Sequence, residues 1–204
     1  MTGRIKTVIF DIGGVLAPFD WREYMTELFH DKKIVEEVYG TVFGHDLWDE
    51  LDRGVWSNDK LLSEFTAINP GLEKEIRLFF ETCACALHKA DYAAEWITEL
   101  KARGYRVLYL SNYSRHVLDT NPDITYFVPL TDGGIFSCFV HLVKPEREIY
   151  ECIRDRYGLN PAETVFIDDV EANVEGARAV GFNGIRFLNL EQAKAELNNL
   201  LEGS

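Results

Sequence analysis

The feature that most constrains this chain is a short β-rich run that ends in a carboxylate. Residues 5–10 read Ile-Lys-Thr-Val-Ile-Phe and pass directly into Asp11-Ile12-Gly13-Gly14. Such a run is a buried strand, and the glycines beyond it mark the loop at its C-terminal edge. A strand of this kind must be paired and covered, so the rest of the chain has to supply both neighbours and lids.

The second half does so by alternation. Helical spacing over residues 92–103, 146–157 and 171–180 alternates with β-branched or aromatic runs at 105–110, 164–167 and 184–187, with 136–140 a weaker fourth. The three helices end at Gly104, Gly158 and Gly181, where left-handed backbone is expected. This βαβ rhythm predicts an α/β fold, a Rossmann-like doubly wound parallel sheet with helices on both faces.

Between the first strand and that alternation lie helices only. Residues 21–29, 35–39, 47–51, 60–68 and 72–87 carry helical spacing, with Asp20 and Glu23 placed as a capping box and Ser57 as a cap. We therefore expect a core domain from residues 1–16 and 90–204, with residues 17–89 as a small inserted helical cap. Three of the four tryptophans, Trp21, Trp48 and Trp56, fall in the insertion. They could wall a substrate pocket; we read them first as the core that a small helical bundle needs.

A net charge of −13 without any basic cluster argues against nucleic acid and anionic membrane surfaces as partners. The apolar stretch 8–16 is interrupted by Asp11 and lacks a cleavage site, so it is neither signal peptide nor span, and a cytoplasmic location is expected. Cys83, Cys85, Cys138 and Cys152 lack zinc-site spacing and read as reduced, buried thiols. Nothing in the sequence indicates an oligomeric state.

In open α/β sheets, ligands bind beyond the carboxyl ends of the strands. The residues there are Asp11, the pair Ser111-Asn112, and the pair Asp168-Asp169; Lys144, before Pro145, opens the helix that precedes the 164–167 strand. A carboxylate such as Asp11 can attack phosphorus and form an aspartyl-phosphate. A second carboxylate beside it repels both it and an incoming phosphate unless a hard cation intervenes, and Mg²⁺ binds through one or two carboxylates plus phosphate oxygen. Asp11 with Asp169 supplies that pair. Lys144 would bring positive charge, and the Ser111 hydroxyl and Asn112 amide would donate hydrogen bonds to the phosphoryl oxygens.

Phe10-Asp11-Ile12-Gly13-Gly14-Val15, Leu110-Ser111-Asn112, Val143-Lys144-Pro145-Glu146 and Phe166-Ile167-Asp168-Asp169 running on to Asn173 resemble, in order, the four motifs of the haloacid dehalogenase superfamily. The insertion looks like its C1 cap, and the closest resemblance is to the branch with epoxide hydrolase N-terminal phosphatase domains and glucose-1-phosphate phosphatases. The resemblance implies a magnesium-dependent phosphatase acting on a small phosphorylated metabolite, a sugar phosphate first. It makes Asp11 the nucleophile, Asp169 and the Gly13 carbonyl metal ligands beside Asp11, and Asp168 and Asn173 supporting groups.

One position departs from the family. Most of its phosphatases carry an acid–base aspartate two residues after the nucleophile, where this chain has Gly13. A positioned general acid–base is worth about 10²–10⁴-fold, so a cap side chain has to be considered for the proton, with His45 and Asp46 as candidates. The alternatives are a phosphate-binding or regulatory module without turnover, and a metal-independent haloacid dehalogenase. Asn112-Tyr113-Ser114 matches a glycosylation acceptor, which has no role in a cytoplasmic chain, and Gly13-Gly14 is followed by no P-loop ending.

Overall fold

Five parallel strands, β1 Thr7–Phe10, β2 Arg106–Ser111, β3 Gly134–Phe136, β4 Thr164–Asp168 and β5 Asn183–Arg186, form one sheet in the order β3-β2-β1-β4-β5. The computed structural model describes residues 4–202, so the ends of the expected core segments, residues 1–3 and 203–204, lie outside the described residues. The order places β1 at the centre, paired to β2 on one side and to β4 on the other. Successive β1 side chains point to opposite faces. Val8 and Phe10 join one apolar cluster with Val107, Val165 and Ile167, while Ile9 joins a second with Leu108, Leu110 and Phe166.

The second cluster is closed by α8 Arg147–Tyr157 and α9 Glu171–Ala179, through Ile149, Tyr150, Ile153 and Ala177. The first is closed by α6 Ala93–Ala102 and α10 Leu190–Glu202, through Trp96, Ile97, Ala193 and Leu197. Helices therefore cover both faces, in a Rossmann-type α/β fold. Gly104, Gly158 and Gly181 all have positive φ where their helices end.

Five helices lie between β1 and α6: α1 Trp21–Phe29, α2 Lys32–Phe43, α3 Leu47–Arg53, α4 Asn58–Ile68 and α5 Glu73–Thr82. Asp20 caps α1 by accepting from the Arg22 and Glu23 N–H groups, and Ser57 caps α4. Their apolar faces do not form a separate core. Val38, Phe65 and Phe79 belong to the same cluster as Phe10 and Trp96.

Several sequence expectations need correction. The fourth strand is Gly134–Phe136, and the expected span 136–140 is instead mostly a 3₁₀ turn at Ser137–Phe139. The helix expected over 72–87 stops at Thr82 and tightens into a 3₁₀ turn, Cys83–Ala86. Pro145 precedes α8 rather than opening it, and its bond to Lys144 is cis. A short helix, α7 Arg115–Thr120, and α10 were not anticipated. All four cysteines are free, but Cys85 is exposed and Cys152 half-buried rather than buried.

Candidate active site

The sheet register builds the site. Phe10 is level with Ile167 across β1 and β4, so Asp11 and Asp168 emerge side by side one residue later. On the other flank Phe10 is level with Tyr109, which brings Ser111 to the same edge. The Asp11 N–H donates to the Ile167 carbonyl at 2.9 Å, extending the pairing to the last residue before the loop.

Lys144 completes the cluster from the loop before α8. Its Nζ lies 2.8 Å from Asp11 Oδ1 and 2.6 Å from Asp168 Oδ2. Three groups are thus buried with a single positive charge among them, and Asp168 is fully enclosed. Asp168 is saturated: besides Lys144 it accepts from the Val170 N–H and from Asn173 Nδ2. Asp11 Oδ1 accepts from Lys144 and from the Ile12 N–H at 2.7 Å, and the Ser111 hydroxyl is a weaker hydrogen-bonding neighbour.

The charges are unbalanced. Burial raises the Asp11 carboxyl well above its ordinary range; Lys144 pulls it back and Asp168 adds to the rise. Burial would lower the Lys144 ammonium, yet its two carboxylate neighbours hold it above its usual value. Asp169 is raised by burial and then by Asp168. Asp11, Asp168 and Asp169 each bring an oxygen within 4.8 Å of the others, so one lysine faces three carboxylates. Asp168 is occupied by protein donors, whereas Asp169 has no ion-pair partner among the described residues. An all-oxygen donor set with surplus negative charge fits a hard divalent cation. Gly14, at φ +72°, lets the backbone pass against the Asp169 carboxylate, where a Cβ would collide with it.

A cavity of about 190 Å³ opens over this cluster. Its base holds Asp11, Gly13, Lys144, Asp169 and Asn173, and its walls include Phe19, Trp21, Trp48, Leu87, Val117 and Val170. Trp21 and Trp48 are both core and wall: they pack against each other and against Phe43, with their ring centroids 5.5 Å apart. Trp56 instead lies under the Lys60 ammonium.

Asn112 lines the same cavity. Its side chain grips the Lys144 backbone from both sides, donating to the carbonyl at 3.0 Å and accepting from the N–H at 2.8 Å. It positions the lysine. His45 and Asp46 are exposed and absent from the cavity lining. The insertion instead presents Asp52, which is buried at the cavity wall six residues beyond Asp46. The sequence signal was faint: an acidic residue on the apolar side of a short helix, next to Leu51. Tyr113 was also missed; it lines the cavity with a buried hydroxyl that has no hydrogen-bond partner among the described residues.

Comparison with known proteins adds four findings. A model of haloacid dehalogenase-like hydrolases matches residues 5–181. A sesquiterpene phosphatase of Aspergillus oryzae is 27% identical over 98% of this chain and 99% of its own length. Among solved structures, a predicted hydrolase of this type from Porphyromonas gingivalis superposes with a TM-score of 0.77 at 24% identity, covering 98% of this chain and 99% of that one. An enzyme of the same family from Bacteroides thetaiotaomicron, solved with magnesium and inorganic phosphate, superposes at 0.69 with 20% identity over 89% of this chain and 93% of that one.

Proposed function

The chain belongs to the haloacid dehalogenase-like hydrolases as an enzyme of the phosphatase kind, and from that premise we propose that it hydrolyses phosphate monoesters through an aspartyl-phosphate on Asp11, with Mg²⁺ as cofactor. The observation that carries this reading is the lysine shared by two buried carboxylates at the cavity base, with a third carboxylate free beside them.

Asp11 attacks the phosphorus, and the ester oxygen leaves. Lys144 orients Asp11 and neutralises charge on the phosphoryl oxygens, while Ser111 donates a hydrogen bond from the neighbouring strand end. Asp168 holds the lysine, and Asn173 and the Val170 N–H hold Asp168. Mg²⁺, held by Asp11, Asp169 and the Gly13 carbonyl, would draw the nucleophile and the phosphate together and offset their negative charge. The helical insertion acts as a cap that excludes water and selects the organic half of the substrate.

The wall favours an apolar organic group over a sugar. A sugar needs a partner for each buried hydroxyl. The Asn112, Ser114 and Asn173 side chains are engaged within the protein, leaving Asp52 and Tyr113 amid aromatic and aliphatic surface. A relative that acts as a sesquiterpene phosphatase supports the same direction. Free thiols and the acidic charge fit a reducing compartment, the cytoplasm.

The test is phosphate release from prenyl, aryl and hexose monophosphates, with Mg²⁺ or with chelator, by the wild-type and Asp11→Asn proteins. Release from apolar esters that is lost with chelator and with Asp11→Asn is expected. Preference for hexose phosphates overturns the substrate class. Chelator-insensitive halide release from haloacids points to a dehalogenase, and a stable phospho-Asp11 without release points to a binding module.

A further inference from the structure

We propose that Asp52, carried on α3 of the helical insertion, is the proton donor and acceptor of this site, taking the role left vacant by Gly13. The proposal rests on the phosphatase reading above. Its starting point is a mismatch: a carboxylate nucleophile sits at the strand exit, but nothing two residues later can protonate a leaving group. A small-molecule alkoxide is a poor leaving group, and protonating it in the transition state is worth about 10²–10⁴-fold.

Three observations place Asp52. It lines the same cavity as Asp11, from the wall rather than the base. It is buried, and no side-chain donor is paired with its carboxylate among the described residues; the Ser114 N–H is a backbone hydrogen-bonding neighbour that pulls the carboxyl down. Its main chain is pinned to the sheet domain: Ser137 Oγ donates to the Asp52 carbonyl at 2.6 Å and accepts from the Tyr113 N–H at 2.8 Å. The next residue, Arg53, is clamped by Glu146 and by His141. Asp52 is therefore held against the core by bonds between the helical segment and the sheet domain.

The surroundings favour the acid form. Burial is the main cause and raises the carboxyl to about 8. Asp49 on the same helix and Asp11 from the sheet push the same way, and Lys144 opposes them. The other titratable groups facing it are Tyr113 after β2, Cys83 after α5 and Cys138 after β3, all neutral at pH 7 because burial raises each of them. Tyr113 lines the same cavity, and its buried hydroxyl has no hydrogen-bond partner among the described residues.

The proton balance closes. As the bond from Asp11 to phosphorus forms and the bond to the ester oxygen breaks, the Asp52 proton passes to that oxygen and an alcohol leaves. The Asp52 carboxylate then takes a proton from water as water attacks the aspartyl-phosphate. The phosphorus–Asp11 bond breaks, phosphate leaves, and Asp52 is again protonated.

The experiment compares hexyl phosphate with p-nitrophenyl phosphate, whose aryl oxide leaves without a proton, for wild type, Asp52→Asn and Asp52→Glu. Because kcat/KM ends at the first irreversible step, Asp52→Asn should lose about 10²–10⁴-fold on hexyl phosphate and stay within about tenfold on the aryl ester. It should also release p-nitrophenol as a burst of one per site, because hydrolysis of the aspartyl-phosphate lacks its base. Asp52→Glu should recover part of the alkyl activity. Equal losses on both esters, no loss on either, or no burst overturns the assignment.

Should Asp52→Asn not fold, the wild-type pH profile decides. A falling alkaline limb for hexyl phosphate that is absent for the aryl ester supports Asp52, and identical profiles overturn it. If wild type hydrolyses neither ester with Mg²⁺, the phosphatase reading itself falls; if it hydrolyses both and only the Asp52 comparisons fail, that reading stands without this acid.

Discussion

The guanidinium of Arg53 grips the carboxylate of Glu146 through two bonds of 2.7 and 3.0 Å, tying the helical insertion to the loop that carries Lys144. His141 adds a third tie, its Nδ1 lying 2.9 Å from the Arg53 carbonyl. Arg53 thus joins the helical segment to the loop that carries Lys144, beside the bond from Ser137 Oγ to the Asp52 carbonyl.

Replacing Arg53 by Met should loosen this seat without dismantling the fold. The pair is part-exposed, so the stability cost should be no more than about 1 kcal/mol. Substrate capture depends on closure and should suffer more, with KM rising and kcat falling together. Hydrogen exchange over residues 47–53 should accelerate, while β1 and β4 stay protected. An unchanged KM would remove the seat from the mechanism.

Lys144→Met should be far more costly. It leaves Asp11 and Asp168 buried without their shared cation, and breaking such a pair costs about 3–5 kcal/mol. The loss should be smaller at pH 5 than at pH 8, because buried carboxylates without a partner are relieved by protonation. Urea unfolding at the two pH values measures this, and an equal loss at both would show that the lysine packs rather than pairs.

Gly14→Ala tests the free carboxylate. The left-handed backbone costs about 1–2 kcal/mol for a residue with a Cβ, and that Cβ would press on Asp169. Displacing Asp169 should raise the Mg²⁺ concentration needed for half-maximal activity by about 10–100-fold. Magnesium titration of the purified variant checks it; unchanged magnesium dependence would remove Asp169 from the cation site.

The Asp52 carboxyl also sets a slope of stability with pH. It titrates near 8 when folded and near 3.8 when free, so between those values the folded protein holds a proton that the unfolded chain has released. Its contribution is full below about pH 4 and is lost as pH rises through about 8. Asp52→Asn lacks that slope. Its melting temperature relative to wild type should therefore be higher at pH 8 than at pH 4, and a difference independent of pH would mean that Asp52 is charged throughout.

Much of this site was legible before any coordinates. Asp11, Ser111, Lys144 and the Asp168-Asp169 pair were picked out because strand exits in a parallel sheet converge on one edge, and the strands themselves are marked by local pattern. Their convergence depends on pairing and register, and β1, apolar on both faces, belongs at the centre of a covered parallel sheet. Where local pattern was mixed, the reading slipped: the aromatic run after Phe136 turns at Ser137, whose hydroxyl is used to hold Asp52 and Tyr113.

The sequence by itself determined the α/β core, the helical insertion and the row of carboxylates with one lysine, because these follow from periodicity and from the order of strand ends. Only the tertiary structure decided which side chains are free to act. Asn112 holds the Lys144 backbone, His45 and Asp46 are exposed, and Asp52 and Tyr113 line the cavity that also contains Asp11. The reason is physical: periodicity tells which face of a helix is buried, but not what it is buried against. The task of a buried polar group is set by the donors and charges that packing brings to it.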